Sequence, residues 1–582
     1  MGKLTKSLAT IWRLAGPYFR SEESRQGRIL LAAVVAIELC VVAVTVLINK
    51  WNNVFYNALQ DRDWDAFVWQ LSYFSLLAAT FIILRVYQLY LNQWLQIGWR
   101  RWMTQSYLRM WLEGANHYRM QLLGDAADNP DQRIAEDIQL FVDRTLKIGL
   151  GFLNSVVTLL SFVIILWGLS DAAPLHAFGV TWAIPGYLVW AALIYSLAGT
   201  LITHLIGRPL IGLMFKQQQY EADFRFNLVR TRENSEQIAL LEGETAERER
   251  LSQRFARVVE NWYLIMTRQK KLTFFTAGFD QASVILPYLM ISPAYFAGAV
   301  QLGAMMQTAS AFGSVQSALS FFVLAYNQLA EWTSVIQRLA GFNAAVANSG
   351  AITQTEPMVT VSREGNAQGV EIRDLELTLP KGKTLVQSKG VTLAPKQDVL
   401  LTGPSGSGKS TLFRAIAGVW PFGRGKIVLP RDARIVVLPQ RPYFPVATLA
   451  SAITYPAEAG TYPRDALSDA LAAVGLPALV ARLDEEGHWN RTLSIGEQQR
   501  LAVARVILQK PDFLFLDEAT ASLDEPSEAA IYKLLHERLK GTTIVSIGHR
   551  STLDAFHQKG IALAPEGAVH RLQEAALNSA RK

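Results

Sequence analysis

The stretch Gly403-Pro404-Ser405-Gly406-Ser407-Gly408-Lys409-Ser410-Thr411 fits G-x-x-x-x-G-K-[ST], a loop pattern that cradles phosphates. The apolar run Asp398-Val399-Leu400-Leu401 before it reads as a buried strand, and Thr411 to Val419 after it reads as a helix. The chemistry requires that order. Glycines let the backbone wrap so that successive N–H groups point inward. The helix N-terminus adds partial positive charge at the same place. Lys409 then reaches the β- and γ-phosphates of a nucleotide, and Ser410 offers a hydroxyl to Mg²⁺. Further on, Phe513-Leu514-Phe515-Leu516-Asp517-Glu518 is an apolar strand ending in two acids. Buried strands deliver catalytic groups at their carboxyl ends, beside such a loop. Asp517 is expected to hold Mg²⁺ through water, and Glu518 to polarise the attacking water. From Gly369 short β-branched strands alternate with helices, which defines an α/β domain.

The rest of the chain is of another kind. Its 582 residues exceed what one core supports, so at least two domains are expected. Half the residues are hydrophobic and 18% are charged, a balance that points to membrane spans. The net charge of +7 suits nucleic acid, but the basic residues alternate with apolar segments, which membrane topology explains better. The one cysteine, Cys40, allows no intrachain disulfide. Lys3, Lys6, Arg13 and Arg20 precede the first long apolar run, and no small-residue cleavage site follows it, so the N-terminus reads as retained. Residues 8–20, aromatic and partly amphipathic, are expected to lie on the membrane surface.

Six apolar segments follow, at about 28–49, 68–91, 148–169, 179–205, 273–298 and 309–330, each near the ~20 residues that cross a bilayer. Lys and Arg crowd 1–28, 100–147 and 207–271. The loops 170–178 and 299–308 have none, and 50–65 has only Lys50 and Arg62. Both termini and both long loops are therefore expected in the cytoplasm. An even number of spans also returns the chain to the side where ATP is found. The long loops mix apolar and charged residues at helical spacing and read as helices continuing the spans. The expected layout is a membrane domain over 1–345, a linker over 346–366 and an ATPase domain over 367–575. Glu38, Arg85 and Asp280 interrupt apolar runs at a cost of at least ~2.5 kcal/mol for a charge at a helix centre, which makes them candidates for a substrate pathway.

Leu493-Ser494-Ile495-Gly496-Glu497-Gln498-Gln499-Arg500 reads first as a capped helix start, Ser494 being N-cap with Glu497 three residues on. The octapeptide also resembles the signature motif of ABC-type ATPases. Gln440 in Leu438-Pro439-Gln440-Arg441 resembles that family's Q-loop, Ala521-Ser522-Leu523-Asp524 its D-loop and His549 its switch histidine, so that the resemblance covers about 369–570. It implies ATP bound by residues 403–411, with Gln440 sensing Mg²⁺ and His549 contacting the γ-phosphate beside the catalytic Glu518. It also implies that Ser494, Gly496 and Gln498 bind the ATP held by another subunit. One ATPase domain and six spans are half of such a transporter, which implies a homodimer. A soluble ABC ATPase acting on ribosomes or DNA is disfavoured by the six spans, so no nucleic-acid partner is expected.

Trp420-Pro421, Leu438 to Tyr443, and Ile453-Thr454-Tyr455-Pro456 resemble the ABCD half-transporters and their bacterial relatives. Asn129-Pro130-Asp131-Gln132-Arg133-Ile134 and Asn234-Ser235-Glu236-Gln237-Ile238-Ala239 resemble the same group, and Asn49 to Phe67 resembles the SbmA/BacA peptide-uptake proteins. These likenesses imply an inner-membrane, multi-pass half-transporter of the exporter-type fold. The favoured solute is peptides or other bulky hydrophilic molecules. The alternatives are fatty acyl chains or acyl-CoA, and an ATP-gated channel or sensor. One departure stands out: ABC ATPases commonly stack an aromatic ring on adenine about two dozen residues before the phosphate loop. No Phe, Tyr or Trp lies from Gly369 to Asp398, and the slot falls near Leu377 or Leu379.

Overall fold

The computed structural model describes residues 2–22, 24–123, 129–172, 175–177, 180–182, 184–352, 356–380, 382–548, 550–567 and 569–576. The chain divides into two compact units, Met1–Leu108 with Asn129–Phe342, and Arg109–Asp128 with Asn343–Lys582.

The first unit is built on long helices: α1 (Gly2–Arg20), α2 (Ser24–Asp61), α3 (Trp64–Leu112), α4 (Ile138–Ala172), α5 (Tyr187–Glu233), α6 (Glu244–Phe296), α7 (Leu302–Leu324) and α8 (Tyr326–Ala351). Among the described residues five helical segments, those containing α2 to α6, are long and apolar enough to cross a membrane. The sixth expected segment falls on α7, which starts seven residues earlier than expected and ends at Leu324. The fourth expected span becomes helical, as α5, at Tyr187 and not at 179: residues 180–182 pair as a strand with 175–177, and Pro185 and a left-handed Gly186 precede the helix. At 53 residues α6 is about 80 Å long, far beyond the ~30 Å of a hydrocarbon core, so the helical reading of the long loops holds. Large apolar side chains such as Ile82, Ile83, Val86, Ile164, Ile194 and Leu197 lie exposed, a surface suited to lipid and not to water.

Helix α7 is the hub of this unit and packs on α2, α4, α5 and α6. Phe312 and Val315 of α7 meet Phe162 and Leu166 of α4 and Leu188 and Ala192 of α5, all essentially buried. Asn49, Asn53, Asn57 and Gln60 share one face of α2 and bond to α7. Asn49 Nδ2 donates to the Gln307 carbonyl (3.1 Å), and Asn53 Nδ2 to Gln307 Oε1 (2.7 Å). The first N–H groups of α7 donate to α2: Gly303 to Asn57 Oδ1 (2.7 Å) and Leu302 to Gln60 Oε1 (2.6 Å). Helix-end donors that lack an intrahelical partner are satisfied in this way. The other face of the same stretch is aromatic: Trp51 stacks on Phe55 at 4.6 Å and donates its indole N–H to the Gln70 carbonyl of α3 (2.9 Å).

Around the Asn129–Ile134 motif, Asp137 is 1% exposed and takes two bonds from Arg338 of α8 (2.6 and 2.9 Å) and one from Arg133 (2.7 Å). The Asn234–Ala239 motif forms a short helix, Ser235–Leu240, between α5 and α6, with Leu240 and Leu241 some 80% exposed at its end.

The second unit holds a ten-stranded sheet. Its strands are β1 (Val359–Glu364), β2 (Val370–Thr378), β3 (Thr384–Leu393), β4 (Val399–Thr402), β5 (Gly423–Pro430), β6 (Ile435–Leu438), β7 (Phe513–Asp517), β8 (Thr543–Ile547), β9 (Lys559–Glu566) and β10 (Val569–Ala575). The order is β1-β5-β2-β3-β10-β9-β4-β8-β7-β6. Strands β9, β4, β8, β7 and β6 are mutually parallel, whereas β2–β3, β2–β5 and β9–β10 pair antiparallel. Leu401 of β4 and Asp517 of β7 both stand opposite Ile547 of β8, so three parallel strands end at one level.

Two expectations about boundaries change. Residues 346–366, expected as a linker, contain the end of α8 and strand β1, which pairs with β5. Residues 109–123, expected with the membrane domain, join the second unit: Leu122 packs on its core, and Ser349 Oγ donates to Asn116 Oδ1 (3.0 Å). The polar sequence hides β1, which is short and half-buried.

A Cβ on Gly303 would lie 1.9 Å from the Asn53 carbonyl oxygen, whereas one on Gly313 would meet nothing within 4 Å. Gly303→Ala is expected to cost about 1–3 kcal/mol by overpacking and to lower the thermal unfolding midpoint in detergent. Gly313→Ala should leave that midpoint unchanged or raise it.

Candidate nucleotide site

The phosphate loop joins β4 to helix α9 (Lys409–Ile416). Gly408 adopts φ +97°, and a Cβ there would lie 2.6 Å from Val386 Cγ2. No other residue fits that approach. The loop closes on the Lys409 ammonium, which donates to the carbonyls of Gly403 (2.8 Å) and Pro404 (2.9 Å). Burial pushes that ammonium below the usual lysine range, with Glu518 and Asp517 opposing. A cation this desolvated gains strongly from phosphate. Ser405 and Gly406 form the exposed tip. Ser407 Oγ is buried with no hydrogen-bond partner among the described residues, a free donor inside the loop. Thr411 is buried in the first turn of α9.

Ser410 Oγ donates to Asp517 Oδ1 at 2.8 Å, so the loop and the β7 acid converge as the spacing required. Burial pushes the Asp517 carboxyl above its ordinary value, and the Ser410 bond pulls it back. Glu518 sits at φ +50°, a strained conformation for a non-glycine residue that costs about 1–3 kcal/mol. Gln440 Nε2 donates to Glu518 Oε2 (3.1 Å), which brings the Q-loop residue to the acid. The hydroxyl, carboxylate and amide oxygens of Ser410, Asp517 and Gln440 are hard donors that fit Mg²⁺. Among the described residues no group of three or more His, Cys, Asp or Glu could hold a metal by itself. The remaining ligands would therefore come from nucleotide phosphate oxygens and water, as Mg²⁺ prefers. Bound there, the ion would neutralise charge on the transferring phosphate.

The other expected residues stand apart from this cluster. Ser494 caps helix α10 (Ile495–Gln509) in a full capping box with Glu497, whose carboxyl this bonding holds below the usual range. Among the described residues, none of the bonds of Ser494 or Gly496 reaches the phosphate loop. Gln498 turns back on its own chain, donating to the carbonyls of Leu493 (2.8 Å) and Asn490 (3.0 Å). His549 lies outside the described residues. Of the two adenine slots, Leu377 is fully buried in the sheet core and cannot meet a base, while Leu379 is half-buried at the β2–β3 turn. Trp420 is no substitute: it is 5% exposed, and its indole N–H donates to the Thr378 carbonyl (3.0 Å). Sequence reasoning missed Gln499, Glu528 and Arg550, which bond to the loops of this site. The motif spacing marks a helix start at Ser494 but not the face that Gln499 presents.

In the first unit Glu38, 5% exposed, and Arg85 lie 3.9 Å apart, and Asn154 of α4 donates to Glu38. Three helices thus share one polar group. Asp280 is exposed on α6, and among the described residues no ion pair joins it to the other two.

A nucleotide-binding α/β unit and an apolar helical unit in one chain define an ATP-driven membrane transporter of the half-size kind. The description "ABC transporter transmembrane region 2" matches residues 14–296, and "ABC transporter" matches residues 386–521. The Escherichia coli inner membrane ABC transporter ATP-binding protein YddA is 34% identical over 92% of this chain and 94% of its own. The chloroplastic ABC transporter D family member 2 of Arabidopsis thaliana is 33% identical over 95% of this chain and 86% of its own. A bacterial Atm1-family ABC exporter with ATP bound shares the fold, with a TM-score of 0.67 at 17% identity, covering 92% of this chain and 93% of that one. The chain belongs to the ABC transporters, as a half-transporter with its membrane region ahead of a single ATPase domain. ATP hydrolysis is coupled to transport across the membrane.

Removing the carboxylate of Glu518, expected to act as the base, and the cation of Lys409 should have different consequences. Glu518→Gln is expected to bind ATP normally and lose about 10²–10⁴-fold in kcat, the usual worth of a general base. Lys409→Ala is expected to weaken nucleotide binding itself. Measured kcat and nucleotide Kd on the purified protein separate the two, and near-normal turnover in Glu518→Gln would remove its assignment.

Proposed function

We propose that the chain works as a homodimer in a bacterial inner membrane, with both termini in the cytoplasm, and moves peptides or other bulky hydrophilic solutes. The observation that carries the dimer is the state of Ser494: it is bonded to Glu497 and not to the phosphate loop, with Ile495 beside it 57% exposed. A helix N-terminus presented outward offers N–H donors to the phosphates of a nucleotide held by a second copy. The exposed Leu240 and Leu241 at the α5–α6 tip supply a further apolar contact for such a partner. ATP, with Mg²⁺ on Ser410, Gln440 and Asp517, closes the paired ATPase domains, Glu518 and His549 serve hydrolysis, and the long helices carry closure to the membrane halves.

The polar group of Glu38, Arg85 and Asn154 within the spans favours a hydrophilic solute over an acyl chain. Likeness to a D family member keeps fatty acyl or acyl-CoA transport as the second reading. Flux in proteoliposomes decides between them. ATP-driven uptake of a labelled cationic peptide that stops in Glu518→Gln supports the first reading, and uptake of labelled acyl-CoA instead supports the second. Hydrolysis without flux of either favours a channel or sensor.

Glu38→Gln, Arg85→Gln and Asp280→Asn are expected to lower flux by more than they lower folded yield. Wild-type flux in all three would remove them from the pathway.

The missing aromatic ring also has a measurable consequence. Base–aromatic stacking is worth about 1–3 kcal/mol, and Leu379 recovers only part of it. ATP and GTP should be hydrolysed with kcat/KM values within about tenfold, a difference under ~1.4 kcal/mol. A preference for ATP well beyond a hundredfold would show that another group grips adenine.

A further inference from the structure

The main chain of Ala521-Ser522-Leu523 is held by two side chains from outside it. Gln499 of α10, 1% exposed, accepts from the Ser522 N–H through Oε1 (3.1 Å). Arg550 Nη1 donates to the Leu523 carbonyl (2.8 Å), and Nη2 to the Ala521 carbonyl (3.3 Å). One backbone group from each of three successive residues, acceptor, donor and acceptor, is thus matched by a side-chain partner of the opposite kind. The Arg550 charge is balanced by Glu528, 3% exposed and 3.2 Å away. The other Glu528 oxygen accepts from the hydroxyl of Thr520 (2.6 Å), two residues beyond Glu518.

The far ends of both side chains lead back to the nucleotide site. Gln499 Nε2 donates to the Gln440 carbonyl at 3.4 Å, and the Gln440 amide donates to Glu518. Arg550 directly follows His549 in the chain. We infer that Gln499 and Arg550 are positioning residues for ATP hydrolysis, which lock residues 521–523 to Gln440 and to the end of β7. Neither touches the reacting atoms. A shift of Gln440 or Glu518 when nucleotide arrives is passed to Ser522 through Gln499, and the guanidinium of Arg550 keeps the loop from yielding independently. This inference rests on the assignment of Glu518 and Gln440 to the nucleotide site, which Glu518→Gln tests separately.

The test uses the full-length chain in detergent or nanodiscs. Arg550→Gln alone strands the Glu528 carboxylate, so the informative variant is the pair Glu528→Gln with Arg550→Gln, which keeps the site neutral. A second variant, Gln499→Met, removes the Ser522 acceptor at similar volume. Both are expected to keep the thermal midpoint within a few degrees and the Kd for a fluorescent ATP analogue within about threefold, while kcat falls at least about tenfold. Amide exchange over 519–524 should rise in both. Hydrolysis within about threefold of the unaltered protein in either variant would overturn the inference. So would loss of folding or of nucleotide binding in both, because these residues would then hold the fold and not the loop.

Discussion

The nucleotide site depends on one register. Leu401 and Asp517 face the same residue, Ile547, from either side of β8, so β4, β7 and β8 finish together. That level is where the phosphate loop leaves β4, where Asp517 and Glu518 leave β7, and where the chain leaves β8 toward His549. Slipping one strand by one residue would turn its side chains to the opposite face of the sheet. The Ser410–Asp517 bond would then be lost, and the proposed Mg²⁺ donors would no longer converge. The strand interiors are almost fully buried, so a slip would have to repack the sheet on both faces.

A different constraint shapes the first unit. Each buried backbone donor needs a partner inside the protein. Long helices meet this along their length but not at their first turns. The amide side chains of Asn57 and Gln60 supply partners for the start of α7, and Asn49 and Asn53 hold its Gln307. Gly303 keeps the two backbones close enough for these bonds to form. The same stretch of α2 presents Trp51 and Phe55 to α3, so twelve residues seat α2 against two neighbours.

What the sequence disclosed follows from how local each feature is. The phosphate loop, the acidic strand end and the Ser494 capping box are contiguous, and each was legible because its chemistry fixes its spacing. Apolar runs and charge asymmetry located the helices, and α3, α5 and α6 extend far past the hydrophobic stretches as the helical spacing required. Features made by distant residues were hidden. Asn49 and Gln307 are 258 positions apart, and nothing in either segment names the other. Strand β1 passed as linker because its partner β5 lies some sixty residues on. Arg550 and Gln499 were invisible as a pair because their common target is backbone, which carries no sequence signal. Leu377 was a plausible base contact by position, yet its side chain points into the sheet core.

In the proposed homodimer a second copy of the chain completes the nucleotide site, with Ser494 of one protomer over the phosphate loop of the other. Disulfide trapping between protomers tests this directly. Cys40, the only cysteine, is first replaced by serine. Protomers carrying Ser405→Cys are then co-expressed with protomers carrying Ile495→Cys, both positions being exposed. ATP with vanadate should produce a disulfide-linked dimer only in the mixed preparation, and little without nucleotide. Failure to trap any dimer in the presence of nucleotide, or a link formed within single chains that carry both cysteines, would contradict the shared site.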